Sequence, residues 1–215
     1  MSTEPSLAEI GGRGAAADSA RFLGRAIGVI IALASLVAFA AAVILMVEKL
    51  MLINDPGYVP SCSINPILSC GSIMESDQAE AFGFPNPLLG IVGFGTLAIA
   101  GASVALGVKF PRRAWLAIQA AVSFAFLFVC WLIFQSLYRI EALCPYCMVV
   151  WVAVFALFTY VTLFNLSSGN IRTPASLKPA LEMAVRYHGV ILTVGLLAVV
   201  LLIAEAFWDY WRTLP

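Results

Sequence analysis

The chain has 215 residues, of which 62% are hydrophobic and 11% are charged. A water-soluble domain carries charge on roughly a quarter of its residues, so this composition excludes an ordinary soluble protein. Twelve basic side chains balance twelve acidic ones, which argues against a polyanionic partner such as nucleic acid. We therefore expect a membrane protein.

Five long apolar runs predict five transmembrane helices. Each run is close to the ~20 residues that a helix needs to cross the hydrocarbon core of a bilayer. The runs are continuous rather than alternating, which favours helices over the strands of a barrel. They lie at about residues 26–47, 87–108, 114–138, 142–166 and 187–207. We predict an all-α integral membrane protein, with residues 1–25 as a cytoplasmic tail and residues 26–215 as a single membrane domain.

The distribution of Lys and Arg predicts the orientation, because cytoplasmic segments collect these residues. Nine basic residues fall on one side of the predicted spans and three on the other. The nine are Arg13, Arg21, Arg25, Lys109, Arg112, Arg113, Arg172, Lys178 and Arg186; the three are Lys49, Arg139 and Arg212. The amino terminus is therefore predicted inside, with the carboxyl terminus and the loop at residues 48–86 outside.

The predicted outer loop, residues 48–86, begins with a strong turn signal at residues 54–57. Ser72 followed by Glu75, and then by apolar residues up to Phe82, predicts a short capped amphipathic helix at the membrane interface. At the end of the loop, Asn86 and Pro87 are suited to the N-cap and the first position of the second span.

The motif Cys144-Pro145-Tyr146-Cys147 opens the fourth span. Two cysteines at this spacing are close enough to form a disulfide, and a helix amino terminus favours the thiolate. An inert staple is a weaker interpretation, since a bridge within one helical turn closes almost no loop. The motif therefore favours thiol–disulfide exchange.

Cys62 and Cys70 lie in the predicted outer loop, on the same face as the first pair. In isolation this second pair is equally consistent with a structural disulfide and with a redox role. We expect no metal, because a zinc site would need all four cysteines and the lone His188 lies at the opposite face. Cys130, inside the third span, is expected to be a packing residue.

Three segments together resemble the bacterial vitamin K epoxide reductase family. They are Cys62-Ser-Ile-Asn-Pro with Ser-Cys70-Gly, the run from Phe82 to Pro87, and Cys144 to Cys147. The resemblance extends from the first span through the fourth. It implies a four-helix bundle around a quinone of the menaquinone or ubiquinone type, with the fifth helix peripheral. It also implies the inner membrane of a bacterial cell.

The resemblance further implies an activity and a partner. Members of the family oxidise a secreted thioredoxin-like (DsbA-like) protein, which then forms disulfides in exported proteins. Some members carry the thioredoxin-like domain after a fifth helix. Since this chain stops at Pro215, just past its fifth span, we expect the partner to be a separate protein.

The roles of individual residues follow from the same resemblance. Cys62 would take electrons from the partner and Cys70 would pass them to Cys144, while Cys147 would face the quinone. Asn86 matches a position that hydrogen-bonds a quinone oxygen. Trp151 stands where the vertebrate enzymes have a tyrosine, which places epoxide chemistry in doubt more than quinone reduction. The quinone pocket is further expected to be lined by Phe82, Phe84, Leu88, Phe128 and Tyr146.

Two alternatives remain open from the sequence. In the first, the chain is a DsbB-like quinone-linked oxidase of unrelated ancestry, which would have the same activity. In the second, the chain is a non-enzymatic membrane scaffold, and its cysteines form only structural disulfides that staple the outer loop.

Overall fold

The computed structural model describes residues 7–55 and 57–212, with side chains from residue 24 onward. Residues 1–6 of the predicted tail, Pro56 of the predicted turn and residues 213–215 of the predicted membrane domain lie outside the described residues. The helices are α1 (Leu7–Asn54), α2 (Cys70–Met74), α3 (Asn86–Ala105), α4 (Arg112–Gln135), α5 (Pro145–Ser167), α6 (Lys178–Arg186), α7 (His188–Ala206) and α8 (Trp208–Trp211).

Five segments of the described chain are long and apolar enough to cross a membrane, as predicted. They are Gly24–Asn54 within α1, α3, Arg112–Ile140, α5 and α7. The third of these joins α4 to a π-helical turn at Ser136–Ile140. No strand longer than an isolated bridge occurs in the described residues. The all-α membrane fold is thus confirmed.

Helices α1, α3, α4 and α5 form the bundle, and α7 lies at its periphery. Helix α1 packs on α3 and α5, and α4 packs on α5. Helix α7 contacts α5 but has no buried residue. Its carboxyl-terminal end is tied to the π-helical turn, where the Tyr138 hydroxyl donates to Glu205 Oε2 over 3.1 Å. The predicted division into four core helices and one peripheral helix is confirmed.

Two glycines bring the backbones of α1 and α3 together. A Cβ atom at Gly28 would lie 2.4 Å from the backbone nitrogen of Ala105, and one at Gly101 would lie 2.5 Å from that of Ala32. Small residues allow helices in a membrane to approach this closely. Gly24 and Gly28 are one helical turn apart in α1. A Cβ atom at Gly24 would have no neighbour within 4 Å, so of these two glycines only Gly28 serves the contact.

A buried polar cluster joins α4 to α5 at the end of the bundle away from the cysteines. Asn165 is fully buried, and its Nδ2 donates to Gln119 Oε1 over 3.0 Å and to Trp115 O over 3.3 Å. Asn170 Nδ2 donates in turn to Asn165 Oδ1 over 3.0 Å. Because a polar group in the membrane must find its partner within the protein, this cluster fixes the register of the two helices.

The short loop helix is present, but its boundaries differ from the prediction. Helix α2 begins at Cys70, and its N-cap is Ser69, whose hydroxyl accepts from the Ser72 N–H. The hydroxyl of Ser76 donates to Ile73 O over 2.7 Å at the end of this helix. The chain then continues as a 3₁₀ turn at Asp77–Glu80. Ser72 is therefore inside the helix rather than its cap.

We predict that Gly101→Ala destabilises the protein by ~1–3 kcal/mol, because the added methyl group would overpack the contact between α1 and α3. Thermal unfolding in detergent measures the effect. Gly93→Ala is the matched control in the same helix, since a Cβ atom there meets nothing within 4 Å. Equal melting temperatures for the two variants would contradict the close packing.

Candidate active site

Three cysteine sulfur atoms meet at one end of the bundle. Cys62 and Cys70 form a disulfide in the outer loop, and Cys70 Sγ lies 3.2 Å from Cys144 Sγ. The sulfur atoms of Cys62, Cys70 and Cys144 all lie within 4.8 Å of one another, and all three residues are buried. Such a trio has the spacing of a metal site, but two members are bonded to each other and so are not thiolate ligands. The arrangement suits disulfide exchange.

Backbone pairing between the outer loop and the start of the fourth span places Cys70 beside Cys144. Leu68 and Leu143 form a parallel β-bridge. The Leu143 N–H donates to Ile67 O over 2.7 Å, and the Ser69 N–H donates to Leu143 O over 3.0 Å. Cys70 directly follows Ser69, and Cys144 directly follows Leu143, so each cysteine comes next to a residue of this hydrogen-bonded pair. Because the bridge uses backbone groups, it fixes the two sulfurs independently of the side chains at Leu68 and Leu143.

Asn65 closes the loop between Cys62 and Cys70. Its Oδ1 accepts from the N–H groups of Ile67, over 3.0 Å, and Leu68, over 2.7 Å. Leu68 O in turn accepts from the Ile64 N–H over 2.8 Å. An asparagine is well suited to such a turn, because its side chain bonds to backbone two or three residues further on. The turn therefore supports both the disulfide and the bridge that follows it.

Cys144 is the N-cap of α5, and Pro145 is in the first turn. The Cys147 N–H donates to Cys144 Sγ over 3.3 Å. The pKa of the Cys144 thiol is lowered, chiefly because the side chain of Cys147 hydrogen-bonds to it. Burial opposes this effect, and the backbone N–H groups of Cys147 and Tyr146 reinforce it. Cys144 therefore lies at a helix amino terminus that favours its thiolate, as predicted, and its sulfur faces the loop disulfide.

An apolar cavity of about 270 Å³ opens beside these cysteines, inside the bundle. Cys70, Cys144 and Cys147 all contribute to its wall, together with Asn86 and Trp151. The remaining wall is mostly aliphatic and aromatic and comes from α1 to α5, including Ala42, Leu45, Ile73, Gly90, Phe94, Phe128, Leu132 and Val150. A cavity of this composition suits an apolar ligand whose orientation is set by few polar groups.

Asn86 lies at the cavity, but it does not cap α3, so the prediction of an N-cap at this residue is wrong. It is the first residue of the helix, and Pro85 occupies the N-cap position. Its Nδ2 donates to Gln78 O over 2.7 Å, and its Oδ1 accepts from the Ala81 N–H over 3.2 Å. The side chain therefore reaches back to the loop instead of its own helix. It holds the 3₁₀ turn against the cavity wall.

The expected aromatic lining is divided between the cavity and its surroundings. Phe128 and Trp151 contribute to the wall. Phe82 is about half exposed and packs on the outer side of Phe128, with ring centroids 5.3 Å apart. Tyr146 packs in the cluster around the loop disulfide. Neither Phe82 nor Tyr146 is among the wall residues of this cavity, and Phe84 and Leu88 are also outside it.

Two charged residues near the carboxyl-terminal end of α1 were missed as functional residues by the sequence analysis, which placed both in the loop at residues 48–86 and used only Lys49, in the count of basic residues. Lys49 Nζ donates to Met74 O over 2.7 Å and pairs with Glu80 Oε1 at 3.0 Å, so it holds the loop over the cavity. Glu48 is buried and binds the segment before Cys62. Their position one after the other, in an otherwise apolar helix, was the available signal.

We predict that Cys147→Ala raises the pKa of Cys144 above its value in Cys147→Ser, because serine keeps a hydroxyl donor for the thiolate and alanine does not. Both variants are made with Cys62→Ala, Cys70→Ala and Cys130→Ala, so that Cys144 is the one remaining cysteine and no disulfide exchange consumes its thiolate. The ultraviolet absorbance of the thiolate gives the midpoint. Coincident titration curves would show that the Cys147 side chain does not stabilise the Cys144 thiolate.

Residues 29–162 match the model of the vitamin K epoxide reductase family. A comparison with curated proteins finds no match. The matched segment covers more than half of the chain and contains both cysteine pairs, all of the second and third spans, and most of the first and fourth. The match therefore decides against the alternative that the chain is a DsbB-like quinone-linked oxidase whose ancestry is unrelated to this family. With its multi-pass helical fold and adjoining cysteine pairs, the chain belongs to the vitamin K epoxide reductase family of membrane oxidoreductases.

Proposed function

We propose that the chain oxidises the thiols of a secreted thioredoxin-like (DsbA-like) protein and delivers the two electrons to a membrane quinone. One observation carries this proposal: sulfur atoms form a continuous path from the outer loop to an apolar cavity. Cys70 Sγ is 3.2 Å from Cys144 Sγ, and Cys147 contributes to the cavity wall. A non-enzymatic staple would need no second pair at this distance.

The outer cysteine pair would exchange with the partner. A thiolate of the partner attacks Cys62 Sγ, the Cys62–Cys70 bond breaks, and Cys70 leaves as a thiolate. The second thiol of the partner then attacks the mixed disulfide and releases Cys62, so the partner leaves with a disulfide. Cys62 is the more accessible of the two sulfurs, since it is 4% exposed and Cys70 is fully buried. This difference favours attack at Cys62.

The inner pair would receive the electrons from Cys70. In its disulfide form, the Cys144–Cys147 bond is attacked at Cys144 by the Cys70 thiolate, and Cys147 leaves as a thiolate. The stabilised sulfur at Cys144 also makes it a good leaving group in the next exchange. Both cysteines of the inner pair border the cavity, but Cys144 also lies against the loop disulfide, so Cys147 is the sulfur left to face the cavity.

The cavity fits a quinone ring in size and polarity. Its wall is nearly all apolar, with Asn86 and the indole of Trp151 as hydrogen-bond donors among its residues. A bound quinone would supply an acceptor for two electrons and two protons. Asn86, and the amino-terminal ends of α3 and α5, would stabilise negative charge that develops there. Such donors act strongly in a dry site, where the dielectric constant is low. Either a menaquinone or a ubiquinone matches this chemistry.

The proposed location is the inner membrane of a bacterial cell, with the amino terminus in the cytoplasm. The distribution of Lys and Arg supports this orientation. It places the outer loop and the carboxyl-terminal segment in the oxidising compartment, where disulfides persist. A secreted partner would thus meet the loop that carries Cys62 on this side of the membrane.

We predict that Cys147→Ser abolishes quinone reduction, because the inner pair is then unable to give up two electrons by forming its disulfide. The Cys70–Cys144 disulfide should accumulate, since serine is not able to displace Cys70 from Cys144. The bridge forms when the Cys144 thiolate attacks Cys70 Sγ of the loop disulfide and Cys62 leaves as a thiolate, and peptide mapping after thiol alkylation without added reductant detects it. Cys130→Ala is the control, because Cys130 lies outside the relay and outside the cavity wall. Undiminished quinone reduction by Cys147→Ser would refute the proposed path.

We predict that Asn86→Asp lowers kcat/KM for quinone by about tenfold to a hundredfold, because the carboxylate lacks the amide donor. The oxygen that accepts from the Ala81 N–H is retained, so the loop keeps one of its two bonds. Steady-state quinone reduction measures the effect, and exchange between a dithiol and the loop disulfide should be unchanged. If dithiol exchange falls while quinone kinetics are preserved, Asn86 serves only the loop.

A further inference from the structure

A buried carboxylate lies beside the loop disulfide and has no part in the relay described above. Glu48, in α1, is 7% exposed. Its Oε2 accepts from the Tyr58 hydroxyl over 2.8 Å and from the Ser61 N–H over 3.3 Å, and its Oε1 accepts from the Ser61 hydroxyl. All these donors belong to the short segment that ends at Cys62. Glu48 therefore ties that segment to the first transmembrane helix.

The strength of this attachment follows from charge and burial. A buried carboxylate is costly unless it is paired or hydrogen-bonded, and hydrogen bonds to an ionised group are roughly twice as strong as neutral ones. The pKa of Tyr58 is raised, chiefly because its hydroxyl is hydrogen-bonded to Glu48, so Tyr58 remains a donor at neutral pH. Lys49 is engaged elsewhere, with Glu80 and Met74. Glu48 thus relies on the segment before Cys62 for its hydrogen bonds.

Cys70 is attached to a different part of the protein. The bridge between Leu68 and Leu143 holds it to the start of the fourth span, and Lys49 holds the end of α2 through Met74 O. The two cysteines of the loop disulfide consequently have separate anchors, Glu48 for Cys62 and Leu143 for Cys70. Neither anchor depends on the bond between the two sulfurs. Both anchors would therefore remain available to hold the two sulfurs near each other when that bond is open.

We propose that Glu48 is a positioning residue that keeps Cys62 within reach of Cys70 after the loop disulfide has opened. The inference rests on the proposed function, because it concerns the step that resets the relay. After the partner has left, Cys62 is a thiolate and Cys70 is bonded to Cys144. The Cys62 thiolate attacks Cys70 Sγ, the Cys62–Cys70 bond forms, the Cys70–Cys144 bond breaks, and Cys144 leaves as a thiolate.

This reset is an exchange between sulfurs of one chain and needs no added oxidant or reductant. Its equilibrium depends on the effective concentration of Cys62 near Cys70, which is high when both groups are held in place. A loosened Cys62 would leave the Cys70–Cys144 bridge to accumulate. Glu48 would thereby determine how completely electrons are passed to the inner pair.

The test isolates the loop pair by combining Cys130→Ala, Cys144→Ser and Cys147→Ser. The purified protein is equilibrated with mixtures of reduced and oxidised glutathione, and the closed fraction of Cys62–Cys70 is measured by thiol alkylation and mass spectrometry. Glu48→Ala should lower the equilibrium constant for closure by about tenfold, given the strength of hydrogen bonds to a charged group. Glu48→Gln should lower it less, because the amide retains an acceptor oxygen. Glu75→Ala removes an exposed carboxylate from the same loop and should leave closure unchanged.

A closure constant for Glu48→Ala equal to that of the parent would overturn the proposal. If Glu48→Ala loses its helical circular dichroism, Tyr58→Phe carries the test: it removes one donor, and closure must fall by a smaller factor, whereas an unchanged constant overturns the proposal. Glutathione equilibrium involves neither quinone nor partner. Failure of the proposed function would instead appear as absent quinone reduction by the unmodified protein, so the two failures are distinguishable.

Discussion

The short backbone bridge between Leu68 and Leu143 is the constraint on which the site depends. It joins a loop outside the bundle to the start of the fourth span, and each strand of the bridge leads into a cysteine of a different pair. Without this bridge, Cys70 would be free to move with its loop. With it, the sulfur atoms of Cys70 and Cys144 are 3.2 Å apart, so exchange requires little rearrangement. Backbone hydrogen bonds thus hold Cys70 beside Cys144, which side-chain packing in a short loop would do poorly.

The charged residues at the outer end of α1 extend the same principle. Glu48 binds the part of the loop before Cys62, and Lys49 binds the part after Cys70. Both charges lie in a helix that otherwise reads as a membrane span, where unpaired charge is expensive. Their hydrogen bonds to the loop offset that cost. The loop is consequently held down at both ends by the helix that precedes it, while its middle pairs with the start of α5.

The cavity links this thiol chemistry to the membrane. Its wall is apolar except for a small number of donors, and Cys147 stands at the boundary between the cavity and the relay. Because the dielectric constant is low in such an apolar cavity, an oriented amide or a helix amino terminus stabilises developing charge far more than it would in water. The close approach of α1 and α3 at Gly28 and Gly101 sets the width of one side of the bundle.

The sequence alone determined the membrane class, the five spans and the family resemblance, because apolar run length and cysteine spacing are local properties. It also placed Cys144 correctly at the start of a helix. It misassigned the caps at Ser72 and Asn86, because capping depends on which backbone N–H lies within reach: Ser69 takes the first role, and Asn86 bonds to the loop. Only the tertiary structure decided that Phe82 and Tyr146 stand outside the wall of the cavity and that Glu48 reaches the segment before Cys62. Those arrangements arise from contacts between residues distant in the chain, which no local pattern encodes.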